Sequence, residues 1–203
     1  MGRKTHWDRV YQSNEDHEVS WYQPRPEKSL QLIERCELPP SARVIDVGGG
    51  TSRLVDCLLD AGHSNVGVLD LSQTALERTG QRLGNRAASV QWIVSDVTKY
   101  EPSHRWDLWH DRAVFHFLVD ETDRERYREA LLQSLEPNGH VVMATFGPQG
   151  PERCSGLPVV RRNPDSLQRA LGSEFNLLES LIEKHKTPKG AVQEFLYCRF
   201  QRR

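Results

Sequence analysis

The segment VIDVGGGTS at 44–52 runs a β-branched stretch through a carboxylate, Asp46, into three consecutive glycines, Gly48, Gly49 and Gly50. Glycines at such a point let the main chain turn sharply and let a ligand lie against it with no Cβ in the way. The spacing is not GxGxxG, because Leu54 and Val55 stand where a third glycine is sought. Nor is it GxxxxGKS/T, which excludes a P-loop nucleotidase on this segment. Asp70 closes a second apolar run, NVGVLD, twenty positions beyond Gly50. A carboxylate at that distance from a glycine turn is placed to accept hydrogen bonds from both hydroxyls of a ribose. Asp96 ends a third run, IVSDV. One aspartate at a strand end commonly caps the next helix; three, in register with a glycine turn, point to a ligand site.

Acid–base chemistry is available in WDLWHDRAVFHFLVD at 106–120. Strand alternation puts Leu108 and His110 on one face, Trp109 and Asp111 on the other. Asp111 is expensive to bury without a partner, which Arg112 or a ligand can supply. Asp111 and His116 share an orientation only if the chain turns after Asp111, and Ala113–Leu118 is apolar enough to form such a turn. On that reading Asp111 and His116 are the catalytic candidates; packing between Phe115 and Phe117 is the alternative for His116. His110 and Arg112 are candidates for substrate contact. So are Cys154, in the Gly/Pro-rich loop at 146–162, and His185, in the turn HKTPKG. Cys57 and Cys198 sit in apolar stretches and read as core. None of the four cysteines has zinc-site spacing, so no metal is expected and the thiols read as reduced.

These residues need a frame, and the pattern supplies one. Strand-like runs at 42–48, 65–72, 89–97, 105–113 and 140–147 alternate with helical periodicity at 51–62, 73–84 and 120–135. Such alternation means βαβ units around a buried, largely parallel sheet with its ligand crevice at the carboxyl ends of the strands. The chain then departs from the pattern. Residues 176–185 and 191–200 read as two strands on a short turn, hence antiparallel. The expected fold is α/β, a Rossmann-like doubly wound sheet of seven strands closing in a hairpin. Residues 1–40 stand apart as an N-terminal helical cap or lid, with a helix from about Glu27 to Glu37. In it Trp7 and Tyr11 share a face if helical, and Trp21 and Tyr22 are placed to cover the crevice. The chain is thus read as one domain, 1–203, with a core at 41–147 and a substrate-side loop and hairpin at 148–203.

Taken together, VIDVGGGTS, VLDLS, SDV, WDLWHDRAVFHFL and LEPNGHVVMATF resemble the class I S-adenosylmethionine-dependent methyltransferases over about residues 41–147. The resemblance implies S-adenosylmethionine as cofactor, S-adenosylhomocysteine as product, and a sheet order of 3-2-1-4-5-7-6. It implies that Gly48, Gly49 and Gly50 carry the methionine part of the cofactor and that Asp46 reaches its amino group. Asp70 would then bind ribose, Leu71 flank adenine, and Asp96 with Val97 contact the adenine edge. Asp111, at the end of the fourth strand, would lie under the sulfonium. Methyl transfer needs alignment above all, and a base only when the acceptor arrives protonated.

A small-molecule acceptor, a thiol or amine among the candidates, is the first reading. A protein lysine is the alternative, and a non-catalytic nucleotide-binding partner protein is the reading from another class. Lys plus Arg is 27 against 28 for Asp plus Glu, so no nucleic-acid partner is expected. No apolar run is long enough for a membrane span and no secretory signal is visible, which reads as a cytoplasmic protein, monomer or homodimer.

Overall fold

The computed structural model describes residues 2–203. Its order is α1 (Arg3–Ser13), α2 (Glu27–Glu34), β1 (Arg43–Val47), α3 (Leu54–Asp60), β2 (Asn65–Asp70), α4 (Gln73–Leu83), β3 (Val90–Val94) and β4 (Trp106–Arg112). There follow α5 (Glu121–Ser134), β5 (Leu135–Phe146), β6 (Arg153–Cys154), β7 (Leu157–Pro158), α6 (Pro164–Leu171), β8 (Phe175–Lys186) and β9 (Val192–Arg202). The main sheet runs β3-β2-β1-β4-β5-β9-β8, with β1 to β5 parallel and β9 antiparallel to both β5 and β8. Setting aside the small hairpin β6–β7, this is the expected order 3-2-1-4-5-7-6. Among the described residues no helix is long and apolar enough to cross a membrane.

Alternation along the strands builds two cores. Ile45, Val47, Trp109 and Met143 face α5 and α6, where Tyr127, Leu131 and Leu167 are buried. Val44, Leu108 and Val142 face the other way, against Leu32 of α2, Leu58 of α3 and Leu76 of α4. A sheet buried on both faces explains why its strands read as apolar runs.

Three details differ from the sequence reading. Helix α6 was not foreseen; Asn163 caps it in a reciprocal box with Ser166, and Leu167 and Leu171 bury its inner face. Strand β5 begins five residues before the expected His140, because Leu135 already pairs with Trp106 and an irregularity absorbs the PNG segment, where Asn138 takes φ 63°. The leader holds a full helix, α1, tied to α4: Arg78 donates to the carbonyls of Tyr11 at 2.6 Å and Asn14 at 2.9 Å and pairs with Asp16 at 2.9 Å.

Candidate functional site

Parallel strands β1 to β4 deliver their carboxyl ends to one edge, and α1 lies across it. Between them is a crevice walled by the strand ends and the leader. Its walls include Gly48, Asp70, Leu71, Asp96, Val97, Arg112 and Cys154, with Trp7, Tyr11 and Trp21 from the leader. A second chamber shares Gly48, Arg112 and Trp21 with it and adds Asp46, Gly49, Thr51, His110 and Tyr22.

The glycine turn is held to the end of β2, where the Leu69 carbonyl accepts from the Gly48 N–H at 2.7 Å and the Gly49 N–H at 3.2 Å. Gly48 has φ +66°, and a Cβ there would stand 2.0 Å from Val114 Cγ2. Gly50 has φ +47°, and its Cβ would stand 2.3 Å from the Tyr11 hydroxyl. Both positions combine a left-handed backbone with close approach, which only glycine meets without strain.

Asp70 is buried, and its Oδ1 accepts from the Ser72 N–H at 2.8 Å. Burial first, then the neighbouring charge of Asp46, push its carboxyl up to about 7 against the pull of backbone N–H groups. Asp96 takes the capping role as well as a wall position. Its Oδ1 accepts from the Thr98 N–H at 3.0 Å and hydroxyl at 2.8 Å, while Oδ2 lies 3.6 Å from Arg3.

Asp46 Oδ1 stands 2.7 Å from His110 Nδ1, and His110 Nε2 stands 2.8 Å from the Ser29 hydroxyl. The order Asp–His–Ser is that of a hydrolytic triad. Here all three are buried and Ser29 is completely covered on α2, so the chain of bonds fixes α2 to the sheet and fixes the Asp46 rotamer. Asp46 Oδ2 has no partner.

Both catalytic candidates stand behind the wall. Asp111 faces α5: its Oδ2 accepts from the Tyr127 hydroxyl at 2.6 Å, its Oδ1 from the N–H groups of Val114 at 3.0 Å and Phe115 at 3.4 Å. Burial raises its carboxyl to about 6. The turn after Asp111 exists, a 3₁₀ turn at Phe115–Phe117, and Asp111 is what holds it. His116 is fully buried with its ring 4.5 Å from Phe117 and 4.6 Å from Phe146. Its Nδ1 accepts from the Phe146 N–H at 3.3 Å, and burial with the Arg112 charge lowers its pKa to about 3. A neutral, enclosed imidazole and a fully bonded carboxylate are scaffold. His110 has both ring nitrogens engaged. His185 bonds the Ser20 carbonyl at 2.8 Å, tying the β8–β9 turn to the leader, and does not line the crevice. Cys154 does, with its thiol pushed up to about 11 by burial.

The structure adds wall residues that sequence reasoning passed over: Arg3, Ser95, Val114 and Phe117. The apolar turn at 113–118 was the available signal for Val114 and Phe117. Nothing in the sequence marked Arg3, which pairs with Asp123 and Asp96.

Residues 44–139 match the family described as a methyltransferase domain. The chain is 30% identical over 122 residues to nodulation protein S of Rhizobium tropici, covering 60% of this chain and 50% of that protein. It is 29% identical over 175 residues to a malonyl-(acyl-carrier protein) O-methyltransferase of Halalkalibacterium halodurans, covering 76% and 63%. The chain spans about half the length, or less, of curated relatives it matches. In fold it is similar to the N-methyltransferase NodS of Bradyrhizobium japonicum, whose structure holds S-adenosylhomocysteine, with TM-score 0.74 and 18% identity over 99% of both chains.

Proposed function

The chain belongs to the class I S-adenosylmethionine-dependent methyltransferases, and we propose that it transfers the cofactor's methyl group to a small-molecule acceptor. One observation carries the proposal. Two chambers meet at Gly48 and Arg112, and a buried carboxylate faces each: Asp70 in the crevice, and Asp46, whose Oδ2 has no partner, in the second chamber. A ribose needs the first and an ammonium the second.

On this reading Asp70 holds the ribose hydroxyls, Leu71 and Val97 flank the adenine, and Asp96 borders its edge. Gly48 to Gly50 leave the main chain bare where the methionine portion passes, and Asp46 Oδ2 accepts from its amino group. S-adenosylmethionine supplies a methyl group already activated on a sulfonium, so the protein has to align the partners and exclude water. Trp7, Tyr11, Trp21 and Phe117 do the second. Trp7 lies edge-on to Trp21 at 5.8 Å and to Phe117 at 5.1 Å, roofing the middle of the crevice with apolar surface whose ring faces tolerate a cation. Helix α1 carries two of these rings and is tethered by Asp8 to the Ser72 hydroxyl at 2.6 Å, beside Asp70. It is therefore a cover fastened to the ligand-binding residues themselves.

The relatives' names, an acyl-carrier-protein O-methyltransferase and an N-methyltransferase, fit this class of reaction and divide over the acceptor atom. Calorimetry with S-adenosylmethionine, S-adenosylhomocysteine and NAD tests the cofactor. Binding of the first two and not the third is expected; binding of NAD alone, or of none, ends the proposal. Release of S-adenosylhomocysteine in a cell extract, but not by extract without the protein, separates an enzyme from a non-catalytic nucleotide-binding partner.

A further inference from the structure

The end of β4 bears on what the acceptor is, granted the methyl transfer proposed above. Arg112 leaves the sheet where the crevice and the second chamber meet. Its Nε donates to the Tyr197 hydroxyl at 2.8 Å, its Nη1 donates to the Trp21 carbonyl at 2.8 Å, and the guanidinium stacks 4.6 Å from the Phe195 ring centre. Its Nη2 is buried with no partner. Among the described residues no carboxylate forms an ion pair with it. Glu183 shares the Tyr197 hydroxyl with it and forms no ion pair with it. The other groups around it are neutral: Cys154 is a thiol, and His116 and His185 are imidazoles whose pKa values the Arg112 charge helps to lower.

A cation held in place by two neutral acceptors, with a buried donor to spare, is an anion site in waiting. An ammonium acceptor would meet like charge there. It would also find no base to spare, because Asp111 and His116 stand behind the wall, His110 is bonded at both nitrogens, Asp70 and Asp96 line the adenosine end, and Asp46 Oδ2 is taken by the cofactor's amino group on the reading above. Of the common methyl acceptors, a carboxylic acid is already an anion at neutral pH, whereas a thiol or phenol is mostly protonated.

We infer that the acceptor is a carboxylate, bound by the free Nη2 of Arg112. One carboxylate oxygen attacks the methyl carbon in line with the carbon–sulfur bond. The oxygen–carbon bond forms as the carbon–sulfur bond breaks, and that electron pair goes to sulfur. The two charges cancel, the products are a methyl ester and a neutral thioether, and no proton moves. That reaction asks for the groups present here, an oriented cation and a dry aromatic roof, and for no base.

The test offers the intact protein matched pairs of acceptors: benzoate and benzylamine, indole-3-acetate and tryptamine, octanoate and octylamine. Methyl-labelled S-adenosylmethionine is the donor, with S-adenosylhomocysteine release and alkali-labile methyl as the two readouts. Release with one or more carboxylates, giving label that alkali frees as methanol, is expected. Arg112→Met should lower kcat/KM for that carboxylate about thirtyfold or more, the effect of truncating one partner of a buried charge pair, with S-adenosylhomocysteine affinity within about threefold. Arg112→Lys keeps the charge without the fork and serves if the methionine variant does not fold; it should raise KM more than it lowers kcat. Alkali-stable label on the amines, or no release with any carboxylate by protein that binds S-adenosylhomocysteine, overturns the inference. So does loss of S-adenosylhomocysteine binding in either variant, since Arg112 would then serve the cofactor's own carboxylate. Wild type that binds no S-adenosylhomocysteine instead defeats the methyltransferase proposal itself.

Discussion

Asp70 ends β2 and Asp111 stands one residue before the end of β4, the two strands that flank β1, and burial raises both carboxyls, to about 7 and about 6. In isolation either passes for a catalytic acid. Their hydrogen bonds separate them. Asp70 lies on the crevice wall and takes its hydrogen bonds from local backbone N–H groups, those of Ser72, Gly50 and Leu71. Asp111 points through the sheet, its two oxygens shared among three donors of the turn and of α5. A raised pKa marks burial; a place on a cavity wall is what marks a candidate site.

The sharpest break of this comparison lies beside Asp70. Gly50→Val places a β-branched side chain at φ +47° and against the Tyr11 hydroxyl, so cofactor binding should be abolished. Calorimetry with S-adenosylhomocysteine reads it directly, and normal binding by the variant would put the cofactor elsewhere. Asp111→Ala should show the opposite pattern. Three donors lose their acceptor inside the core, at a cost of roughly 3–5 kcal/mol in stability, or about 10 °C in Tm for a chain of this length. S-adenosylhomocysteine affinity of the folded fraction should stay within about threefold, the scatter expected where no contact is lost. A variant with intact Tm and lost affinity would return Asp111 to the cofactor site.

Asp70→Asn is the milder counterpart. It removes a charged acceptor for two hydroxyls, worth roughly 1.5–3 kcal/mol, so affinity should fall about tenfold to a hundredfold. Stability above pH 7 should hold or rise, because a buried charge has gone. Reduced stability with unchanged affinity would make Asp70 the scaffold and reverse the contrast.

The same contrast explains what was legible in the sequence. Asp46, Gly48, Gly49, Asp70, Leu71, Asp96 and Val97 lie at or just past strand ends, and a parallel sheet sends all its strand ends to one edge, so topology alone places them on the two chambers. Alternation and one short turn were enough for a parallel sheet closing in an antiparallel hairpin, while the strand order came from the resemblance. Past the strand ends, position depends on partners distant in sequence. Arg112 is oriented by Trp21 and Tyr197, Asp111 by Tyr127, and His110 by Ser29. None of those pairs has a local signature, so the side chains of 110–116 could be named but not aimed. Helix α6 was missed for a related reason: it follows a Gly/Pro-rich loop and buries only Leu167 and Leu171, too few positions for a periodic signal.

The smallest expected effect is the pH dependence of cofactor binding, and it turns on Asp70 alone. In the free protein its carboxyl titrates near 7, raised first by burial and then by Asp46. Ribose hydroxyls donating to it favour the charged form, so its pKa is lower in the complex and binding below pH 7 must expel a proton. Affinity for S-adenosylhomocysteine should therefore be full above pH 7 and weaken as pH falls, by at most about tenfold per pH unit. Stability of the free protein responds to the same group with the opposite sign. The folded-state value lies above the ordinary 3.8, so this group favours folding at low pH and that advantage is lost as pH rises from about 4 through about 7. Titrations at pH 6 and 8 on wild type and Asp70→Asn isolate the effect of this one carboxyl, since every other group is common to both proteins. The wild-type slope should vanish in the variant; a slope that persists there would take the pH dependence away from Asp70, and a flat wild-type profile would remove Asp70 from the ribose.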